Sequence, residues 1–84
     1  MRHATDADLD RLDALLARLR VVDGLTERKR GNFQHRSRAF LHFHADGDDL
    51  YADVRLDGVD FDRRRVTSDA EQRSLVSAIE TAVS

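Results

Sequence analysis

The sequence predicts a two-layer α+β domain: a helix, an antiparallel meander of three or four strands, then a second helix, with both helices on one face of the sheet. Three observations predict it. Apolar residues recur at three- and four-residue spacing near both ends of the chain, as Leu9, Leu12, Leu16 and Leu19 and again as Leu75 and Ile79. Apolar and polar residues alternate through the middle, from Ala39 to His44 and from Leu50 to Leu56. Two Asp-Gly dipeptides, Asp46-Gly47 and Asp57-Gly58, punctuate that alternating stretch as hairpin turns would. A sheet with one apolar face and helices with one apolar stripe bury each other most simply when both helices share a side.

Each element has its own justification. Thr5 reads as an N-cap, and Asp6 and Asp8 place negative charge in the first turn, where the helix dipole favours it. This first helix is expected to run to about Arg20, with Gly24 as its terminator. Thr26 to Arg30 reads as a short edge strand whose charges discourage pairing with a second copy. Gly31-Asn32 is a turn, and Phe33 to Arg36 has no clean alternation to fix a register. A two-residue type I′ turn at Asp46-Gly47 sets Ala45 opposite Asp48, Phe43 opposite Leu50, Leu41 opposite Ala52 and Ala39 opposite Val54. A similar turn at Asp57-Gly58 sets Leu56 opposite Val59 and Val54 opposite Phe61. Arg63 and Arg65 then fall on the core face, so the strand must end near Asp62 or carry a bulge that turns Val66 inward. Ser68-Asp69-Ala70-Glu71 is a capping box that opens the last helix. The expected core is Leu41, Phe43, Val54 and Phe61 against Leu12, Leu16, Leu75 and Ile79.

Composition narrows the class. The 84 residues form one domain, 1–84, near the lower limit for a self-sufficient apolar core. The chain has no cysteine, which removes disulfides and thiolate metal sites. No apolar stretch reaches membrane-spanning length and the N-terminus has no signal-peptide pattern, so a cytoplasmic protein is expected. The net charge is −2 although 36% of residues are charged, which gives no long-range attraction for nucleic acid.

The open face of the sheet is where polar and aromatic groups converge. It is expected to present Arg38, Phe40, His42 and His44 beside Asp49, Tyr51, Asp53 and Arg55, with Asp60, Asp62 and Arg64 from the next strand. His42 and His44 are two residues apart on one strand, so they project together, about 7 Å apart. Two imidazoles at that spacing suit a transition metal, with Asp49 or Asp53 as a third ligand. They equally suit surface histidines paired with carboxylates, and no metal or other cofactor is expected. A second candidate surface is the basic segment Arg28, Lys29, Arg30 and Arg36, with Phe33 as a stacking side chain for single-stranded nucleic acid. No catalytic motif is present: Ser37 and Ser68 have no base partner in the pattern. The helix–strands–helix order is shared with double-stranded-RNA-binding domains, but Ser68-Asp69-Ala70-Glu71 would repel phosphate where those domains bind it.

The run Leu19-Arg20-Val21-Val22-Asp23-Gly24-Leu25-Thr26-Glu27, a basic stretch, and Arg38-Ala39-Phe40-Leu41-His42-Phe43 resembles small bacterial proteins of the MmcQ/YjbR type. The resemblance implies a leading helix, an antiparallel sheet, a closing helix and a DNA-binding-like character without a defined activity. It transfers no functional residue. The expected function is a non-catalytic binding module that pairs through the open face with a second copy of itself or with another protein, with Phe40 and Tyr51 as apolar anchors. Nucleic-acid binding by the segment 28–38 is the alternative, and a metal site at His42 and His44 comes third.

Overall fold

The computed structural model describes residues 1–84. Six strands and three helices follow one another as β1 (Arg2–His3), α1 (Asp6–Asp10), α2 (Asp13–Arg20), β2 (Leu25–Lys29), β3 (Asn32–His35), β4 (Arg38–Asp46), β5 (Asp49–Val54), β6 (Asp62–Arg65) and α3 (Asp69–Val83). The strands form one antiparallel sheet in the order β2-β3-β4-β5-β6, and β1 pairs with the end of β4. Sixteen buried apolar residues form one core, drawn from the helices and from one face of the sheet. The α+β class and the two-layer arrangement are those the sequence predicts.

The first helix is divided. The N–H groups of Arg11 and Leu12 donate to the carbonyls three residues back, Asp8 and Leu9, at 3.1 and 2.9 Å. This tightened turn separates α1 from α2 and leaves Leu9, Leu12, Leu15, Leu16 and Leu19 all buried. Thr5 and Asp8 cap α1 reciprocally. Asp8 also binds the guanidinium of Arg2, which ties β1 to the helix. The arginine bond first, and then the N–H of Thr5, hold the Asp8 carboxyl well below the usual carboxylate range.

The first hairpin turns one residue later than the dipeptide suggests. Asp46 pairs with Asp49, so Gly47 and Asp48 are the two central residues. Gly47 has φ +59 and Asp48 is not left-handed, the pattern of a type II′ turn rather than I′. The pairs become Ala45 with Leu50, Phe43 with Ala52 and Leu41 with Val54. A large side chain now faces a small one in the first two of these pairs, which packs better than Phe43 against Leu50. The shift is even, so the predicted core face survives.

The second connection does not survive. Asp57 accepts hydrogen bonds from the N–H groups of Val59 and Asp60 at 2.8 and 2.9 Å, closing an Asx-type turn inside a loop that runs from 55 to 61. β6 then pairs as Val54 with Asp62 and Asp53 with Arg63, an odd offset from the expected register. An odd offset exchanges the faces of a strand. Phe61 leaves the core and is 39% exposed, Arg63 and Arg65 turn to the open face, and Val66 is fully buried without a bulge in β6.

Phe40 is the second inversion. Phe33 pairs with Leu41 and Gln34 with Ala39, which leaves Phe40 as the extra residue of a bulge in β4. Phe40 and Leu41 are both buried as a result, and Phe40 joins the core cluster with Leu75 and Ile79. The turn between β3 and β4 is made by Arg36 and Ser37 at φ +53 and +66, a left-handed pair with no glycine.

Candidate functional site

Pairing across four strands brings two rows of side chains to the open face. One row is His3 on β1, His44 on β4, Tyr51 on β5 and Arg65 on β6. The next is His42 on β4, Asp53 on β5 and Arg63 on β6. Period-two alternation guarantees that His42 and His44 share this face with Tyr51 and Asp53. The Asp53 carboxylate links the rows, lying close to His42 in its own and to His44 in the other.

Asp53 is mostly buried, and a buried carboxylate must be compensated. Arg63 does so with a two-pronged bond, Nε to Oδ1 at 2.7 Å and Nη2 to Oδ2 at 2.8 Å. That bond leads the causes that hold the Asp53 carboxyl below its ordinary value, against the opposing effect of burial. The Nε2 atoms of His42 and His44 lie 3.3 and 3.0 Å from the same Oδ2. His44 Nε2 is buried and close to Asp53, yet its alignment makes no hydrogen bond. Burial lowers the His42 pKa most, and the nearby His44 and His3 add to the effect while Asp53 opposes it. His42 therefore favours its neutral form, in which a ring nitrogen keeps a lone pair.

The surroundings close in on three sides. The His3 ring lies 4.6 Å from that of His44 and 6.3 Å from that of His42, centroid to centroid. Phe61 meets His42 edge-on at 5.1 Å, and the Arg55 guanidinium lies 4.4 Å over the Phe61 ring. Arg65 binds Asp49 and Glu71, so its charge is met within the chain.

The structure thus brings together five of the seven residues expected on this surface: His42, His44, Tyr51, Asp53 and Arg55. Arg38 lies at the far end of β4, where Nη1 donates to the Gly58 carbonyl at 3.1 Å. Phe40 is buried by the bulge and cannot anchor a partner, which corrects the expectation of a Phe40–Tyr51 contact surface. Asp62 and Arg64 belong to the other face of β6. The basic segment is dispersed as well. Phe33 is 2% exposed within the core and cannot stack on a base, and Arg30 is held by Asp6 and Asp10. Arg28 and Lys29 remain exposed on the edge strand β2, and Arg36 sits in the β3–β4 turn.

Two members of the cluster escape the sequence pattern. His3 lies on a two-residue strand, too short for any periodicity. Arg63 reaches the face only through the odd offset of β6. Three of the four histidines meet in this one place, which only the folded arrangement shows.

Comparison of the chain with family models, with curated proteins and with solved structures finds no match. No helix is long and apolar enough to cross a membrane.

Proposed function

We propose that this chain is a non-catalytic binding module whose working surface is the open face of the sheet. The observation that supports the reading is the convergence of His42, His44 and Arg63 on the Asp53 carboxylate, with the His3 ring beside that of His44. His42, His44 and Asp53 are mostly withdrawn from water, which is costly for polar groups, and the fold gathers them where no helix covers the sheet. Binding suits this cluster better than proton transfer, because an arginine fork on Asp53 makes that carboxylate a poor base. A cytoplasmic setting belongs to the same proposal.

Self-association is the weaker form of this reading. Burial of Phe40 removes one of two anchors, and Arg63 and Arg65 meet their acidic partners in cis. Nucleic-acid binding by 28–38 has lost its stacking side chain.

Amide chemical-shift mapping tests the proposal with three probes: dilution of the protein, a single-stranded oligonucleotide, and divalent metal ions. At least one probe is expected to move amides of 42–44, 51–55 and 61–65 while α3 stays still. A response confined to 28–38 with the oligonucleotide, or an open face silent to every probe, would overturn it.

A further inference from the structure

We propose that His42, His44 and Asp53, with His3 as the fourth ligand, form a site for a divalent transition metal of the zinc class. The proposal rests on the open face being the working surface and names its ligand.

Three potential ligand atoms, one from each of His42, His44 and Asp53, lie within 4.8 Å of one another. A tetrahedral ion bound at about 2.0–2.1 Å requires neighbouring ligand atoms about 3.3 Å apart. The two Nε2–Oδ2 separations, 3.3 and 3.0 Å, already approach that edge length. The donor set is imidazole and carboxylate without thiolate, which suits zinc, nickel and copper and disfavours calcium or magnesium.

His44 supplies an independent observation. Its Nε2 is buried, has no hydrogen-bond partner and lies 3.0 Å from a carboxylate oxygen. A buried polar atom left unpaired calls for a physical explanation. A cation held jointly by His44 Nε2 and Asp53 Oδ2 satisfies both atoms at once.

The remaining groups fit as supports. Arg63 grips Oδ1 through Nε, so metal entry at Oδ2 displaces only the Nη2 bond and leaves the carboxylate oriented. His3 stands beside His44 on β1, and the Arg2–Asp8 bond holds that strand in place. His3 is exposed, and as the nearest further imidazole it takes the fourth position in the proposed site.

Isothermal titration of the metal-free chain with Zn²⁺ near neutral pH, with circular dichroism on every variant, is the test. One ion per chain is expected. His42→Ala and His44→Ala should each weaken binding by roughly 100-fold or more, and His3→Ala by about tenfold. His35→Gln, outside the cluster, should leave the affinity unchanged. With Co²⁺ the visible spectrum should be that of a four-coordinate ion and should change in His3→Ala. Should His44→Ala fail to fold, His42→Ala and Asp53→Asn carry the same test. Absence of binding to Zn²⁺, Ni²⁺ and Cu²⁺, or an affinity unchanged in the folded ligand variants, would overturn the metal site. An open face silent to metal but responsive to dilution or oligonucleotide removes the metal and keeps the surface. Silence to every probe removes both.

Discussion

Phe40 and Phe61 exchange the places that simple alternation assigns them, and their truncation separates the two arrangements. Phe40 is 4% exposed in the core, with its ring 5.6 Å edge-on from that of His35. Phe61 is 39% exposed and packs against His42 and Arg55 on the open face. Phe40→Ala removes a buried aromatic ring and leaves a cavity, at a cost of about 3–5 kcal/mol. A chain of 84 residues has a total stability of roughly 4–13 kcal/mol, so Phe40→Ala brings the protein close to unfolding. Phe40→Leu fills most of the space and should cost about 1 kcal/mol, which keeps the comparison measurable. Phe61→Ala loses a half-exposed ring and one cation–π contact, worth about 1 kcal/mol. Urea denaturation followed by circular dichroism reads all three, with an unchanged m value showing that only stability has moved. A larger loss for Phe61→Ala than for Phe40→Ala would refute the bulge in β4 and the offset of β6 together.

Two further outcomes follow from local backbone and charge. Replacing Arg36-Ser37 by Asn-Gly should stabilise the protein by about 1 kcal/mol, because both positions have positive φ and Asn-Gly accepts it at less strain; a melting temperature that falls would contradict the left-handed conformation of that turn. Asp8 has a folded-state pKa below its unfolded value, so it adds stability that is present above about pH 5 and is lost as the pH falls through the folded value. Denaturation midpoints should drop more steeply on acidification in the wild type than in Asp8→Asn, and parallel curves would show that the Arg2–Asp8 bond contributes nothing.

The sequence displays the layers of this fold more clearly than its connections. Leu41, Phe43, Ala45, Leu50, Ala52 and Val54 all lie on the core face, as alternation requires. The first turn is displaced along Asp-Gly-Asp by an even register change, which side-chain alternation cannot detect. The second connection depends on Asp57 capping its own loop, a side-chain to backbone choice that outweighs the Asp-Gly hairpin signal. Phe40 turns inward because a bulge suspends alternation for one residue. The candidate site inherits these differences. His42 and His44 are legible from spacing, which leaves Asp49 and Asp53 both open as their carboxylate partner; the pairing of His42 with Asp53 decides it, while His3 needs a two-residue strand and Arg63 the correct offset of β6.

The most direct test of the open face as a metal-binding surface is a long-range ¹H–¹⁵N spectrum of the four imidazoles during Zn²⁺ addition. The Nε2 resonances of His42 and His44 are expected to move together with saturation at one equivalent and His3 to follow, while His35, bound to the Gly24 carbonyl through Nδ1, stays still. Movement of His35 with the cluster unmoved, or no movement in any ring, would contradict it.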